Sequence, residues 1–265
     1  MKSLLFLLLA IISIGTKAQS TASVNVSTFM LYSPQLDVEK KIWIYLPANY
    51  QTDTKKKYPV IYMHDGQNLF DKNTAYTDEW YIDETLDSLK AEAIVVGIQH
   101  GGADRRIAEL TPFPNEKYSG GDGDIYVDFI TGTLKPYIDE NYRTKPDPKD
   151  TAIMGSSLGG LISYYAVMKY PEVFGKAGVF SPSFWFSKDI YTFTEQADKT
   201  NGKIYFMAGD SEDENMVPGL EKMVQLVSGK LKNKKSVMVK IVPGGKHNEA
   251  LWSKEFAATF LWLME

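Results

Sequence analysis

Short apolar runs rich in β-branched and aromatic residues alternate with longer amphipathic segments along this 265-residue chain, and that alternation restricts the fold more than any other feature. KIWIYLP (41–47), YPVIYMH (58–64), AIVVGIQ (93–99), TAIM (151–154), AGVF (177–180), KIYFMA (203–208) and SVMVKIV (236–242) read as strands. Several are apolar at successive positions, as strands covered on both faces require. Helical periodicity runs over 78–89, 124–140, 158–169, 217–231 and 246–263. Strand followed by helix, repeated, predicts an α/β fold with a mostly parallel, doubly wound central sheet and helices on both faces. With 44% hydrophobic residues the chain can fill one core, so residues 19–265 are expected to form a single domain.

Residues 1–18, MKSLLFLLLAIISIGTKA, follow a different pattern: an early lysine, an apolar run over 4–14 and a small-residue exit. The run is short for a membrane span, and this order is that of a secretory signal, with cleavage expected after Ala18. The mature protein is then periplasmic or secreted and has no membrane span. The chain has no cysteine, so neither a disulfide framework nor a lipidated cysteine is available. A formal net charge of −4 offers no basic field for nucleic acid or an anionic membrane surface.

The segment TAIMGSSLGG, 151–160, joins a predicted strand directly to a predicted helix. Gly155 and Gly159 bracket Ser157 in a Gly-x-Ser-x-Gly register, the nucleophile elbow of α/β-hydrolases, in which Ser156 is the variable position. Glycines are required there because the serine backbone is strained and a neighbouring Cβ would collide with the adjacent strand or helix. The helix that follows presents its first N–H groups, starting with Leu158, to negative charge developing on a substrate oxygen.

A serine hydroxyl needs a base, and the chain has three histidines, His64, His100 and His247. In this fold class the acid and the histidine follow the serine, which leaves His247, in the turn PGGKHNEALW ahead of the last helix. The acid must come from KIYFMAGDSEDENM, where Asp210, Glu212, Asp213 and Glu214 compete. A second oxyanion donor is expected from the loop MHDGQNLF after an earlier strand: the Gln67 N–H, with Gly66 as runner-up. His64 and Asp65 without a third ligand make a poor zinc site, so no metal and no cofactor are expected.

GSSLGGLISYYAVMKYPEVFGKAGVFSPSFW, YMHDGQNLFD, RIAELTPF and GGKHNEALW together resemble the putative esterase family of α/β-hydrolases, from about Lys41 to the C-terminus. The family includes feruloyl esterases, enterochelin-type siderophore esterases, S-formylglutathione hydrolases and mycolyltransferases. The resemblance implies an α/β-hydrolase fold and a serine esterase acting through an acyl-enzyme. Its Gly-x-x-Asp/Glu spacing after a strand selects Glu212 in Gly209-Asp210-Ser211-Glu212, ahead of Asp213. Some siderophore esterases of the family operate with a serine and histidine dyad alone.

For substrate, Trp185 in SPSFWF lies after a strand on the side of the catalytic loops and is a candidate stacking surface, with Trp80 and Trp252. Arg106 is a candidate for receiving an anionic group, the competing reading being a helix-turn pair with Glu109. An exported chain with aromatics near its pocket points to an acylated carbohydrate, feruloyl or acetyl. A siderophore trilactone is the alternative, and a noncatalytic carbohydrate-binding relative or an acyltransferase are readings of another class.

Overall fold

The computed structural model describes residues 19–265; the expected signal segment, residues 1–18, lies outside them. Eight strands form one sheet: β1 (Val26–Ser33), β2 (Val38–Tyr45), β3 (Val60–His64), β4 (Ile94–Ile98), β5 (Thr151–Ser156), β6 (Lys176–Phe180), β7 (Lys203–Gly209) and β8 (Val237–Val242), in the spatial order β1-β2-β4-β3-β5-β6-β7-β8. β1 and β2 are antiparallel to their neighbours, and β4 through β8 run parallel. The expected mostly parallel sheet is therefore present, with an antiparallel hairpin added at one edge.

β1 is absent from the sequence-based reading. Its residues VSTFMLYS hold only the short apolar run FML (29–31) among polar neighbours and are partly covered in an irregular order, as fits an edge strand. The central strands β3, β4 and β5 are buried at every position. Along β2, Ile42 and Ile44 enter one core while Trp43 and Tyr45 enter the other, so the period of two in side-chain direction divides the sheet into two packed faces.

Helices α3 (Gly123–Phe129), α4 (Lys135–Asn141), α5 (Leu158–Lys169), α6 (Asp189–Gln196) and α7 (Met216–Ser228) contribute to the first core. Helices α1 (Ile82–Leu89) and α8 (Glu249–Met264) cover the second. The expected helix over 124–140 is α3 and α4 joined by a π-turn, Ile130–Leu134. Pro136 has no N–H to give to the carbonyl four residues earlier, which accounts for the widened turn. Two short helices were not expected from the sequence: α2 (Ala103–Glu109), a polar segment of seven residues, and α6.

Because β3 and β5 through β8 are parallel, the loops that follow them all leave from the same edge of the sheet. This edge carries Asp65, Ser157, Ser181, Glu212 and His247. No helix among the described residues is long and apolar enough to cross a membrane.

Candidate active site

Ser157 ends the link between β5 and α5 with φ 57° and ψ −120°, in the left-handed half of the backbone map, where a residue with a Cβ is strained. The neighbours hold it there: the Ser157 N–H donates to the Phe180 carbonyl at 2.9 Å, and the Ser157 carbonyl accepts from the Ser183 N–H at 3.1 Å. A Cβ on Gly155 would lie 2.9 Å from the Gly159 carbonyl carbon, and one on Gly160 2.6 Å from the Phe180 carbonyl oxygen. The glycines thus allow strand, turn and helix to approach closely, which carries the hydroxyl to the rim of the sheet.

Glu212 and His247 come together through their loops. A Cβ on Gly209 would lie 2.2 Å from the Gly245 carbonyl oxygen, and the Ser211 N–H donates to that same oxygen at 3.0 Å. This close approach sets His247 Nδ1 2.6 Å from Glu212 Oε2. The other carboxylate oxygen, Oε1, accepts from the Ser181 hydroxyl at 2.7 Å and the Gly209 N–H at 2.6 Å. Burial by itself would push the Glu212 carboxyl up; hydrogen bonds from His247, Gly209 and Ser181 outweigh it and hold the group below its ordinary value. Two of the competing acids are engaged elsewhere: Asp213 accepts from the Asn215 N–H and Asp210 from the Gly244 N–H.

Ser157 and His247 line one cleft of about 610 Å³, with Trp80, Trp252, Tyr76 and Ile107 supplying much of its apolar wall. The Ser157 hydroxyl is hydrogen bonded to the Ser183 hydroxyl at 3.2 Å. Trp252 packs edge-on against the His247 ring, with centroids 5.0 Å apart, and its indole N–H donates to Ser181 Oγ at 2.9 Å. Ser181, Ser183 and Trp252 therefore support the histidine, the acid and the serine. The signal for the first two was present in SPSFW, directly after the strand beside the elbow.

Leu158 opens α5, where first-turn N–H groups lack intrahelical acceptors, and Gln67 sits in the 3₁₀ turn Gly66–Asn68 after β3. The tight approach at Gly66 is to the β4 backbone, since a Cβ there would lie 2.7 Å from the Gly97 carbonyl carbon.

Arg106 does not pair with Glu109. Its Nε and Nη2 each donate to an Asp65 carboxylate oxygen at 2.7 Å, a bidentate pair that commits the guanidinium. Burial would raise the Asp65 carboxyl, and Arg106 more than offsets this and holds it low. Glu109 is buried and pairs with Lys40. His64 is buried, accepts or donates at Nδ1 to the Tyr126 hydroxyl at 2.8 Å, and is driven by burial down to about 3, so it is neutral. Trp185 is 57% exposed against Tyr118 and stands outside the cleft, whereas Trp80 and Trp252 line it. Of the three candidate tryptophans, Trp80 and Trp252 line the cleft and Trp185 does not.

Residues 33–263 match the family model described as "Putative esterase". An uncharacterized protein of Bacillus subtilis (strain 168), YbbA, is 29% identical over 238 residues, spanning 84% of this chain and 92% of that one. An endo-1,4-beta-xylanase/feruloyl esterase of Xylanibacter ruminicola is 27% identical over 173 residues, 60% of this chain and 22% of its own length. The enterobactin esterase of Shigella flexneri superposes with a TM-score of 0.76 at 18% identity, over 91% of this chain and 59% of that one. At that identity the likeness is one of fold, the α/β-hydrolase fold.

Proposed function

The chain belongs to the putative esterase family of carboxylic ester hydrolases, and we propose that it acts as a serine esterase through an acyl-enzyme, with Ser157 as nucleophile, His247 as base and Glu212 as the acid. The observation that carries this reading is the convergence of a serine in a strained elbow and a carboxylate-bound histidine on one cleft.

In the proposed reaction the Ser157 hydroxyl turns from Ser183 to His247, whose Nε2 takes the proton as Oγ attacks the ester carbonyl. The N–H groups of Leu158 and Gln67 receive the oxyanion. His247 then protonates the leaving alcohol, and water, activated by the same nitrogen, releases the acid. Glu212 keeps the proton of His247 on Nδ1 and stabilises the imidazolium that forms.

For substrate we favour an exported role on an acylated carbohydrate, feruloyl or acetyl, with residues 1–18 as a cleaved signal. Trp80, Trp252 and Tyr76 offer flat surfaces for an aryl or sugar ring. A ferric siderophore is strongly anionic, and the cleft answers it poorly: Arg106 is spent on Asp65, and Glu249, another carboxylate, stands on the wall. Hydrolysis of methyl ferulate, acetylated xylo-oligosaccharides and a catecholate trilactone by the wild type and by Ser157→Ala tests the reading. Turnover of the carbohydrate-type esters that disappears in the variant supports it. Preference for the trilactone would replace the substrate, and transfer of the acyl group to an added alcohol in place of water would make the protein an acyltransferase. Absence of turnover on every ester would leave a binding protein.

A further inference from the structure

Beside the cleft wall, the turn before α1 and the first turn of α1 bring together three carboxylates. One oxygen from each of Glu79, Asp83 and Glu84 lies within 4.8 Å of the other two. Glu79 and Asp83 are 1% and 0% exposed. The segment before β1 satisfies half of each group: the Thr21 hydroxyl donates to Glu79 Oε2 at 2.9 Å, and the Ser23 N–H to Asp83 Oδ2 at 2.6 Å. The remaining oxygens, Glu79 Oε1 and Asp83 Oδ1, are buried with no hydrogen-bond partner among the described residues.

Nothing of opposite charge meets them. Among the described residues no lysine, arginine or histidine forms an ion pair with any of the three. A buried carboxylate oxygen with neither a hydrogen bond nor a counter-charge is costly.

We propose that Glu79, Asp83 and Glu84 form a binding site for a hard divalent cation of the calcium class, which fastens the segment ahead of β1 to the turn carrying Trp80. The donors are all oxygen, which disfavours zinc and the softer metals. Calcium bonds six to eight oxygens at about 2.3–2.6 Å, so ligands of one shell lie at most about 5 Å apart, and the observed spacing fits one ion. Water and bidentate binding complete such a shell without the octahedron that magnesium demands. Trp80, next to Glu79, stacks on Phe180 with ring centroids 5.9 Å apart and packs at a tilt against Trp252 at 5.8 Å, so the ion would also steady the cleft wall.

The test is calorimetric titration of the purified, EDTA-stripped protein with Ca²⁺ and separately with Mg²⁺, together with Tm in EDTA and in Ca²⁺. The expected result is saturable one-to-one Ca²⁺ binding, tighter than Mg²⁺, with Tm rising by about 5–10 °C at a hundredfold excess over Kd. Glu79→Gln/Asp83→Asn should lose the binding and, in EDTA, melt no lower than the wild type, because it removes uncompensated charge. Glu84→Gln, at the exposed ligand, tests the same site without disturbing a buried group and should weaken Ca²⁺ binding. No saturable heat with either ion and equal Tm in EDTA and Ca²⁺ would overturn the proposal. Binding unchanged in both variants would overturn it as well, by placing the ion elsewhere.

Discussion

His247 and Glu212 meet at 2.6 Å between Nδ1 and Oε2, while Glu212 spends its second oxygen on Ser181 and Gly209. One carboxylate thereby fixes the ring, and the loop after β6 fixes the carboxylate. If Glu212 sets the tautomer of His247, Glu212→Gln should lower kcat for p-nitrophenyl acetate by about 10²–10⁴. Asp213→Asn, on an acid engaged with its own turn, should stay within about twofold. Steady-state kinetics on both variants decides, and the opposite ranking would move the acid by one residue.

Acid should unfold the protein through a buried histidine. His64 has its folded value lowered from 6.5 to about 3 by burial, so the unfolded chain binds the proton more readily. The stability it contributes is present above about pH 6.5 and is lost progressively as pH falls from there towards 3, by about 2 kcal/mol at pH 5. His100, lowered in the same direction by burial, adds to the same limb. Glu212, held below its ordinary 4.5, contributes stability above that value and loses it only at still lower pH. Urea unfolding at pH 7 and pH 5 should show the loss, and His64→Gln should remove a large part of it.

Much of this was legible in the sequence, for reasons of period and punctuation. The buried parallel strands announce themselves as continuous apolar runs, and Gly155, Ser157 and Gly159 mark the elbow by their register between strand and helix, with a Cβ at Gly155 meeting the Gly159 backbone at 2.9 Å. Chain order selected His247, but family spacing was needed to choose Glu212 from an acidic run, since neighbouring carboxylates look alike until a fold decides which one reaches the ring. Partners distant in sequence escaped. Arg106 and Asp65 are 41 residues apart, and Arg106 has Glu109 at helix spacing, so the nearer pairing was the natural expectation. Trp185 was put first for following a strand on the right side, whereas Trp80, in the loop before α1, and Trp252, on α8, are the tryptophans that line the cleft, from the opposite core. The carboxylates at 79, 83 and 84 fall within the helical pattern expected over 78–89, and only burial gives them another meaning.

Gly155 allows no side chain. A Cβ there would lie 2.9 Å from the backbone of Gly159, which cannot move aside as a flexible side chain would. Gly155→Ala should cost about 2 kcal/mol or more, measured by urea unfolding, and reduce turnover along with it. A variant as stable as the wild type would contradict the described turn.

The Asp65–Arg106 pair should behave as a buried ion pair. Arg106→Leu strands a buried carboxylate and should cost about 3–5 kcal/mol, while Asp65→Asn/Arg106→Leu should recover much of the loss. Equal destabilisation in the single and double variants would mean that packing of the arginine, rather than its charge, is what matters.

The central claim is that Ser157 attacks the ester, and covalent capture tests it most directly. The protein is treated with diisopropyl fluorophosphate, and with p-nitrophenyl acetate quenched in acid, followed by intact-mass measurement and peptide mapping. The account predicts one adduct per chain, located on Ser157, absent from Ser157→Ala and slower to form in Glu212→Gln. An adduct on Ser156 or Ser183, or equal labelling of the Ser157→Ala protein, would contradict it.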